Sequence, residues 1–595
     1  MKWKQAKQTQ LTYGTCYQSL TAILAAIFRI FGWKGPVSLS RIRARGQKIT
    51  SSPKPDADLV GIENRGSTRA SDGMKMGSTT HKRCHRAGTA IQCCVPPVGP
   101  STGAPAYGTG VHEGRLGMRR ATLVVLILLF AGLQPLSAQV GQMGQAGKTG
   151  KAKPSPLLAE TPPMGWNSWD SYGLTIDESE YKANADWMAQ HLKQFGWRYA
   201  VVDEGWFLQN PESGGKPAWE YTLDAEGRYE PAANRFPSAA NGAGFKPLAD
   251  YVHGLGLKFG LHIIRGIPRQ AVDQNLPISV SGGPAFHAAE AADRSDTCEW
   301  NSDNFGVKDN AAGQAYYDSV ARLYAGWGLD FIKVDCISSR PYKESEIRMI
   351  SAALKKTGRP IVLSLSPGPT SLAVAASVRQ YAQMWRISDD FWDYWTPAPG
   401  QGWSPQTLHG QFATAAGWAP HIEPGHWPDA DMLPIGYIGP RPGLGSARPT
   451  RFTHDEQRTL LSLWSIIRSP LILGADLPRN DDWTTSLLAN PEVIAVDQHS
   501  TGNRPLIVTN GLVIWSARPE AHVEAQAEDG QGHYLAIFNR GEGELKIALG
   551  WNEVGLRLGH AYRLRDLWER RDIGSSTSLT VTLQPHACVL YRVRE

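Results

Sequence analysis

An α/β architecture is the fold class this sequence predicts: a (β/α)8 barrel followed by a C-terminal antiparallel β-sandwich. Three observations carry it. From Thr161 to about His499, short apolar runs ending in Gly, Asp or Trp alternate with segments of helical period. That alternation persists over roughly 340 residues, and a single closed barrel is the economical way to bury all the strands. From Ser500 onward the pattern becomes short strands punctuated by turn residues, without helical periodicity.

The strands are read in order. After TPPMGWNSWDSYG (161–173) come RYAVVDEGW (198–206), GLKFGLHII (256–264), LDFIKVD (329–335) and PIVLSLSPG (360–368). QMWRISDD (383–390) and SPLILGADL (469–477) follow, with amphipathic stretches such as AYYDSVARLYAGWG (315–328) and KESEIRMISAALKKTG (343–358) between strands. The barrel is placed at 159–499 and the sandwich at 500–595, where PLIVTNGLVIWSARP, HYLAIFNRG and LKIALGW read as strands. Residues 139–158, rich in Gly, Gln and Lys, read as a flexible leader.

The N-terminal part differs in composition. Residues 1–138 hold 19 of the 61 Lys+Arg and 5 of the 55 Asp+Glu, so the remainder is net acidic despite an overall charge of +6. An acidic body lacks the basic footprint a nucleic-acid partner requires. Within the basic head, MRRATLVVLILLFAGLQPLSAQ has the charged start, apolar run and small-residue exit of a signal peptide, assigned to 118–138. The apolar stretch is shorter than the ~20 residues a membrane span needs, so no membrane association of the mature form is expected. Translation is expected to start at Met118, with 1–117 read as a disordered upstream extension, and the mature protein as secreted or periplasmic. Four of the seven cysteines lie in that extension without metal-ligand spacing, leaving Cys298, Cys336 and Cys588. No metal site, cofactor or nucleophilic-serine motif is found, so none is expected.

The chemistry-bearing residues emerge from strand parity. Alternate side chains share a face, so Phe331, Lys333 and Asp335 point one way, as do Met384, Arg386, Ser388 and Asp390. Both strands then carry a cation inside the barrel and an aspartate at the C-terminal end, where barrel enzymes build their sites. Two carboxylates from different strands suit glycoside hydrolysis by double displacement, one ionised to attack and one protonated to release the leaving group. A structural ion-pair network is the alternative this pattern leaves open. Asp389 has the wrong parity, and His262 and Arg265, near the end of the third strand, are assigned no catalytic role.

In order along the chain, TPPMGWNSWDSYG, VVDEGW, GLKFGLH, FIKVD, WRISDD, GHWPDADMLPIG and LWSIIRSPLILGADL resemble the strand signatures of glycoside hydrolase family 27, the α-galactosidases and α-N-acetylgalactosaminidases. The resemblance covers about 161–595. It implies Asp335 as nucleophile and Asp390, four residues after Arg386, as acid/base. It implies Asp203, Glu204, Lys333, Arg386 and Asp431 as holders of sugar hydroxyls, with Trp169 against the sugar's apolar face. Trp206, Trp300, Trp385 and Trp427 are expected to be packing or rim residues, and Asp429 to lie behind Asp431.

The departures matter as much. The family's second-strand Asp-Asp is here Asp203-Glu204, whose extra methylene pushes a carboxylate toward the exocyclic CH2OH of galactose. The fifth-strand Cys-Glu-Trp is replaced by Ser366-Pro367-Gly368. The family's cysteine two residues after the nucleophile is here Cys336, immediately adjacent and expected on the opposite face, so a Cys298–Cys336 pairing is not expected. The resemblance implies a retaining exo-glycosidase acting on galactosyl oligosaccharides or polysaccharides, an α-galactosidase first. β-L-arabinopyranosidase, α-N-acetylgalactosaminidase and isomalto-dextranase are the alternatives within the family, and a non-catalytic carbohydrate-binding protein is the alternative from another class.

Overall fold

The computed structural model describes residues 157–212, 218–280, 285–397, 405–439, 441, 446–521 and 532–595. The expected signal peptide, the extension before it and most of the leader lie outside these residues. Eight parallel strands follow one another around a barrel: β1 (Met164–Asn167), β2 (Tyr199–Val202), β3 (Lys258–Ile264), β4 (Phe331–Asp335), β5 (Val362–Leu365), β6 (Met384–Arg386), β7 (Trp427–Asp429) and β8 (Leu471–Leu473). From β1 to β7 each strand pairs with the next in sequence, and β8 pairs with β1. Between β7 and β8 the circuit is completed just past β7, where Leu433 bridges Leu473 and its amide donates to the Ile472 carbonyl at 2.7 Å.

Helices follow the strands: α1 (Glu178–His191), α2 (Lys246–Gly254), α3 (Ala311–Trp327), α4 (Glu344–Lys356), α5 (Ala375–Tyr381), α6 (Leu408–Trp418), α7 (His454–Ile466) and α8 (Pro491–Gln498). Their ends carry the expected local chemistry. Asp177 and Glu180 form a reciprocal capping box on α1, and Gly328, at φ +98°, closes α3 in the left-handed conformation that a side chain would disfavour.

Strand parity decides what fills the barrel. Tyr199, Val201, Phe331, Val362, Met384 and Trp427 form one apolar cluster inside it, whereas Ile332 and Val334 join the larger core outside. Gly260 on β3 makes room for this layer, because a Cβ there would stand 2.8 Å from the Val201 side chain. Above the apolar plug, toward the C-terminal ends of the strands, the inward positions become charged: Asp203, Lys333, Asp335 and Arg386.

Beyond α8 the chain forms β9 (Ser500–Val508), β10 (Leu512–Pro519), β11 (Gly532–Asn539), β12 (Leu545–Gly550), β13 (Tyr562–Asp566), β14 (Arg571–Ser576), β15 (Ser578–Leu583) and β16 (Cys588–Arg594). Six form one sheet in the order β9-β10-β11-β16-β13-β14, and β12 and β15 pair with each other. Period-two alternation splits the large sheet's side chains between two cores. Val513, Trp515, Tyr534, Ala536 and Phe538 face the barrel core, while Ile514, Leu535 and Ile537 pack with Ile547, Leu579 and Val581 of the small sheet. The Trp395 and His586 rings stack at 3.8 Å between centroids, tying barrel loop to sandwich.

Candidate active site

The C-terminal ends of the barrel strands surround a cavity of about 290 Å³. Trp169, Asp203, Glu204, Lys333, Asp335, Arg386, Asp390 and Asp431, the eight residues picked from the sequence, all line it.

One side of the cavity is a chain of charges from β2, β3 and β4. The buried Asp203 carboxylate accepts from Asn167 Nδ2 at 2.6 Å, Lys333 Nζ at 2.9 Å and the Glu204 amide at 2.9 Å. Burial alone would favour its neutral form. The charges of His262 and Lys333, with these donors, outweigh burial and hold Asp203 well below the ordinary carboxylate range. Lys333 is correspondingly raised: Asp203, Asp335 and Asp431 overcome the burial that would neutralise it.

Asp335 accepts from the Cys336 amide at 2.6 Å and lies 3.6 Å from His262 Nε2. Against burial, His262 first and then Lys333 and the amide keep its carboxyl below the ordinary range. It is therefore ionised at neutral pH, the state a nucleophile requires. Glu204 goes the other way. Burial, then the charges of Asp335 and Asp203, push it up to about 7 although His262 and Asn301 oppose them. Its Oε1 accepts from Asn301 Nδ2 at 2.5 Å.

On the opposite side Arg386 bridges two carboxylates, Asp390 Oδ1 at 3.0 Å and Asp431 Oδ2 at 2.7 Å. Asp431 also accepts the Phe391 amide, and its own amide donates to Asp429, which thus stands behind it. Burial, reinforced by Asp390 and Asp429, raises Asp431 despite Arg386. The two carboxyls proposed for chemistry differ in access: the side chain of Asp335 is 16% exposed and that of Asp390 53%. Asp335 lies deep and Asp390 at the mouth. Asp389 turns away and pairs with Arg340 at 2.6 Å.

Several residues at the site were not chosen from the sequence. His262, assigned no role there, is 1% exposed in the cavity wall, registered beside Lys333 and adjacent to Asp335. Its partner in that reading, Arg265, points behind the wall to Cys336 O, Asp296 and Glu346. Asp170 is a buried wall carboxyl raised well above its ordinary value by burial and by Asp431. It sits in a short helical turn right after Trp169, where no strand period could flag it. Asn301, Trp219 and Trp392 come from loops. Of the four other tryptophans weighed, Trp206, Trp385 and Trp427 are fully buried, and Trp300 stands at the rim, 43% exposed.

One expectation is overturned. Cys298 and Cys336 form a disulfide, with Cα atoms 5.9 Å apart. Parity predicted the opposite face for Cys336 because the strand was extended through it. β4 ends at Asp335, and Cys336 adopts φ +60°, a left-handed turn in which alternation no longer holds. The turn brings its sulfur to Cys298 while leaving its amide on Asp335.

The chain is similar to proteins of known family. A family model described as alpha galactosidase A matches residues 305–499, and one described as alpha galactosidase C-terminal beta sandwich domain matches 511–593. An α-galactosidase of Cyamopsis tetragonoloba is 28% identical over 440 residues, covering 73% of this chain and 86% of that protein. Among solved structures, the GH27 β-L-arabinopyranosidase of Geobacillus stearothermophilus is 44% identical with a TM-score of 0.67, covering 74% of this chain and 97% of that one. A Bacillus halodurans protein, proposed to be an α-N-acetylgalactosaminidase, is 40% identical with a TM-score of 0.62, covering 73% and 97%.

Proposed function

The chain belongs to glycoside hydrolase family 27, and on that premise we propose a retaining exo-glycosidase for terminal sugars with the ring configuration of α-D-galactopyranose, the pentose β-L-arabinopyranose being preferred. The two sugars share their configuration at C1 to C4 and differ by the exocyclic CH2OH on C5. In the first step Asp335 forms a bond to the anomeric carbon as the bond to the leaving oxygen breaks and Asp390 delivers its proton to that oxygen. Asp390, now a base, takes a proton from water, which attacks the anomeric carbon and releases Asp335. Asp203, Lys333, Arg386 and Asp431 hold the ring hydroxyls, and Trp169 covers the C–H face.

The observation that carries the pentose preference is Glu204, a carboxyl one methylene longer than the family's aspartate and pinned in the cavity wall by Asn301. The 44%-identical structure being a β-L-arabinopyranosidase supports the same reading. α-D-Galactosides are the second substrate class, supported by the α-galactosidase relatives and family models. Paired kinetics on nitrophenyl β-L-arabinopyranoside and nitrophenyl α-D-galactopyranoside test it. A higher kcat/KM for the pentoside is expected, and a higher value for the galactoside would reverse the preference. Export through the 118–138 segment is part of the proposal, tested by N-terminal sequencing of the mature protein, which should begin at Gln139.

A further inference from the structure

We propose that Trp300, braced by Arg340 and Asp389, is the platform on which the leaving group docks, and that the group it is built for is a second sugar ring. This rests on the glycosidase reading above. The cavity is graded in access: Asp203 and Arg386 are buried at its base, Asp335 is mostly covered, and Asp390 opens to solvent. Whatever is bonded to the anomeric carbon therefore leaves past Asp390, through the mouth. Its place is fixed by its covalent link to the sugar below.

Trp300 stands at that mouth. Among the described residues the other exposed large apolar side chains are aliphatic, and none of them lines the cavity. The indole lines the cavity while remaining 43% exposed, and its flat face matches the C–H face of a pyranose. The ring is also held in place. Two residues before it Cys298 is tied to Cys336, and one residue after it the buried Asn301 grips Glu204.

Arg340 lies over the indole with Cζ 5.8 Å from the ring centroid. Its guanidinium donates to Asp389 at 2.6 Å and to the Gly368 carbonyl at 2.9 Å. Asp389 immediately precedes Asp390, so the bracing ends beside the residue that protonates the leaving oxygen. Arg340 remains substantially exposed, offering donors to hydroxyls of a ring seated on Trp300. An apolar face beside an exposed guanidinium suits a sugar rather than an alkyl or lipid aglycone.

The test compares two donors carrying the same terminal sugar. In one the leaving group is glucose linked through O6, and in the other it is fluoride, a single atom that cannot reach Trp300. The quantity read is the ratio of kcat/KM on the disaccharide to kcat/KM on the fluoride. In W300A this ratio should fall about tenfold or more, and W300Y should bring it back to within about threefold of the parent. R340A should lower it in the same direction by a smaller factor. A W300A ratio within about twofold of the parent would overturn the platform, as would a W300Y ratio no better than that of W300A. Failure of the parent protein to hydrolyse the fluoride would instead overturn the glycosidase reading, and the subsite with it.

Discussion

Shortening Glu204 to aspartate should move substrate preference from the pentose toward the hexose. Glu204 Oε1 is held 2.5 Å from Asn301 Nδ2, and the side chain sits in the wall beside Asp335. Removing one methylene draws the carboxylate back by about one carbon–carbon bond, ~1.5 Å, and opens the volume an exocyclic CH2OH needs. One methylene in a pocket is worth about 1–3 kcal/mol of discrimination, so the ratio of kcat/KM for galactoside over arabinopyranoside should rise roughly 5- to 150-fold. The same change strips Asn301 of an acceptor, at a cost of about 1 kcal/mol in stability. Parallel initial-rate measurements on the two nitrophenyl glycosides read the ratio, with E204Q as the control of equal length. E204Q should keep the parent ratio if reach, not charge, excludes the CH2OH. The reasoning fails if E204D leaves the ratio within about twofold, or if E204Q shifts it as far as E204D does.

D335G should lose about 10⁴-fold or more in kcat and regain turnover with azide, yielding the glycosyl azide of inverted configuration; undiminished activity would remove Asp335 from the nucleophile role. In H262F, Asp335 loses the imidazole that chiefly counters its burial. The acid limb of kcat/KM, set by ionisation of the nucleophile, should therefore move to higher pH by about one pH unit, and an unmoved limb would deny His262 that effect. Glu204 binds its proton more tightly in the folded chain, at about 7, than unfolded. Its contribution to stability therefore declines as pH rises from the ordinary glutamate range to about 7, and chemical denaturation of E204Q across that window should show a flatter dependence. Removing the disulfide in C298S/C336S opens a loop of sequence separation 38 and should cost about 4 kcal/mol in the same assay, with no loss if the bond does not form.

What could be read from the sequence follows the reach of one rule. Inside a strand, side chains alternate, so Lys333 and Asp335 fell on one face with Phe331 below them, and the barrel bears this out. The rule lapses where the strand stops. β4 ends before Cys336, which is why a disulfide expected not to form is present. β6 ends at Arg386, so Asp390 meets it through an irregular turn rather than by strand alternation. Asn301 and Trp300 arrive from a loop roughly a hundred residues from Glu204, a distance no local pattern spans. His262 shares the inward parity of its strand, but a lone histidine in an apolar run reads equally well as packing. Only its neighbours in space, Asp203 and Asp335, distinguish the two.

The seam at Leu433 gives the barrel a built-in reporter. The chain crosses from β7 to β8 through Asp431, which sits at φ +86°, two residues before the bridge to Leu473. The elbow that lets Leu433 reach Ile472 is thus the one that delivers the Asp431 carboxylate to Arg386. Closing the circuit and seating Asp431 on Arg386 depend on the same turn, so unzipping this seam should also disturb that wall of the cavity. A sugar that grips Arg386 and Asp431 selects the zipped form and stabilises it by mass action. Bound sugar should therefore slow amide exchange at Leu433 and Gly474 more than anywhere in the C-terminal sheet, making occupancy legible as protection at a join that the ligand never touches.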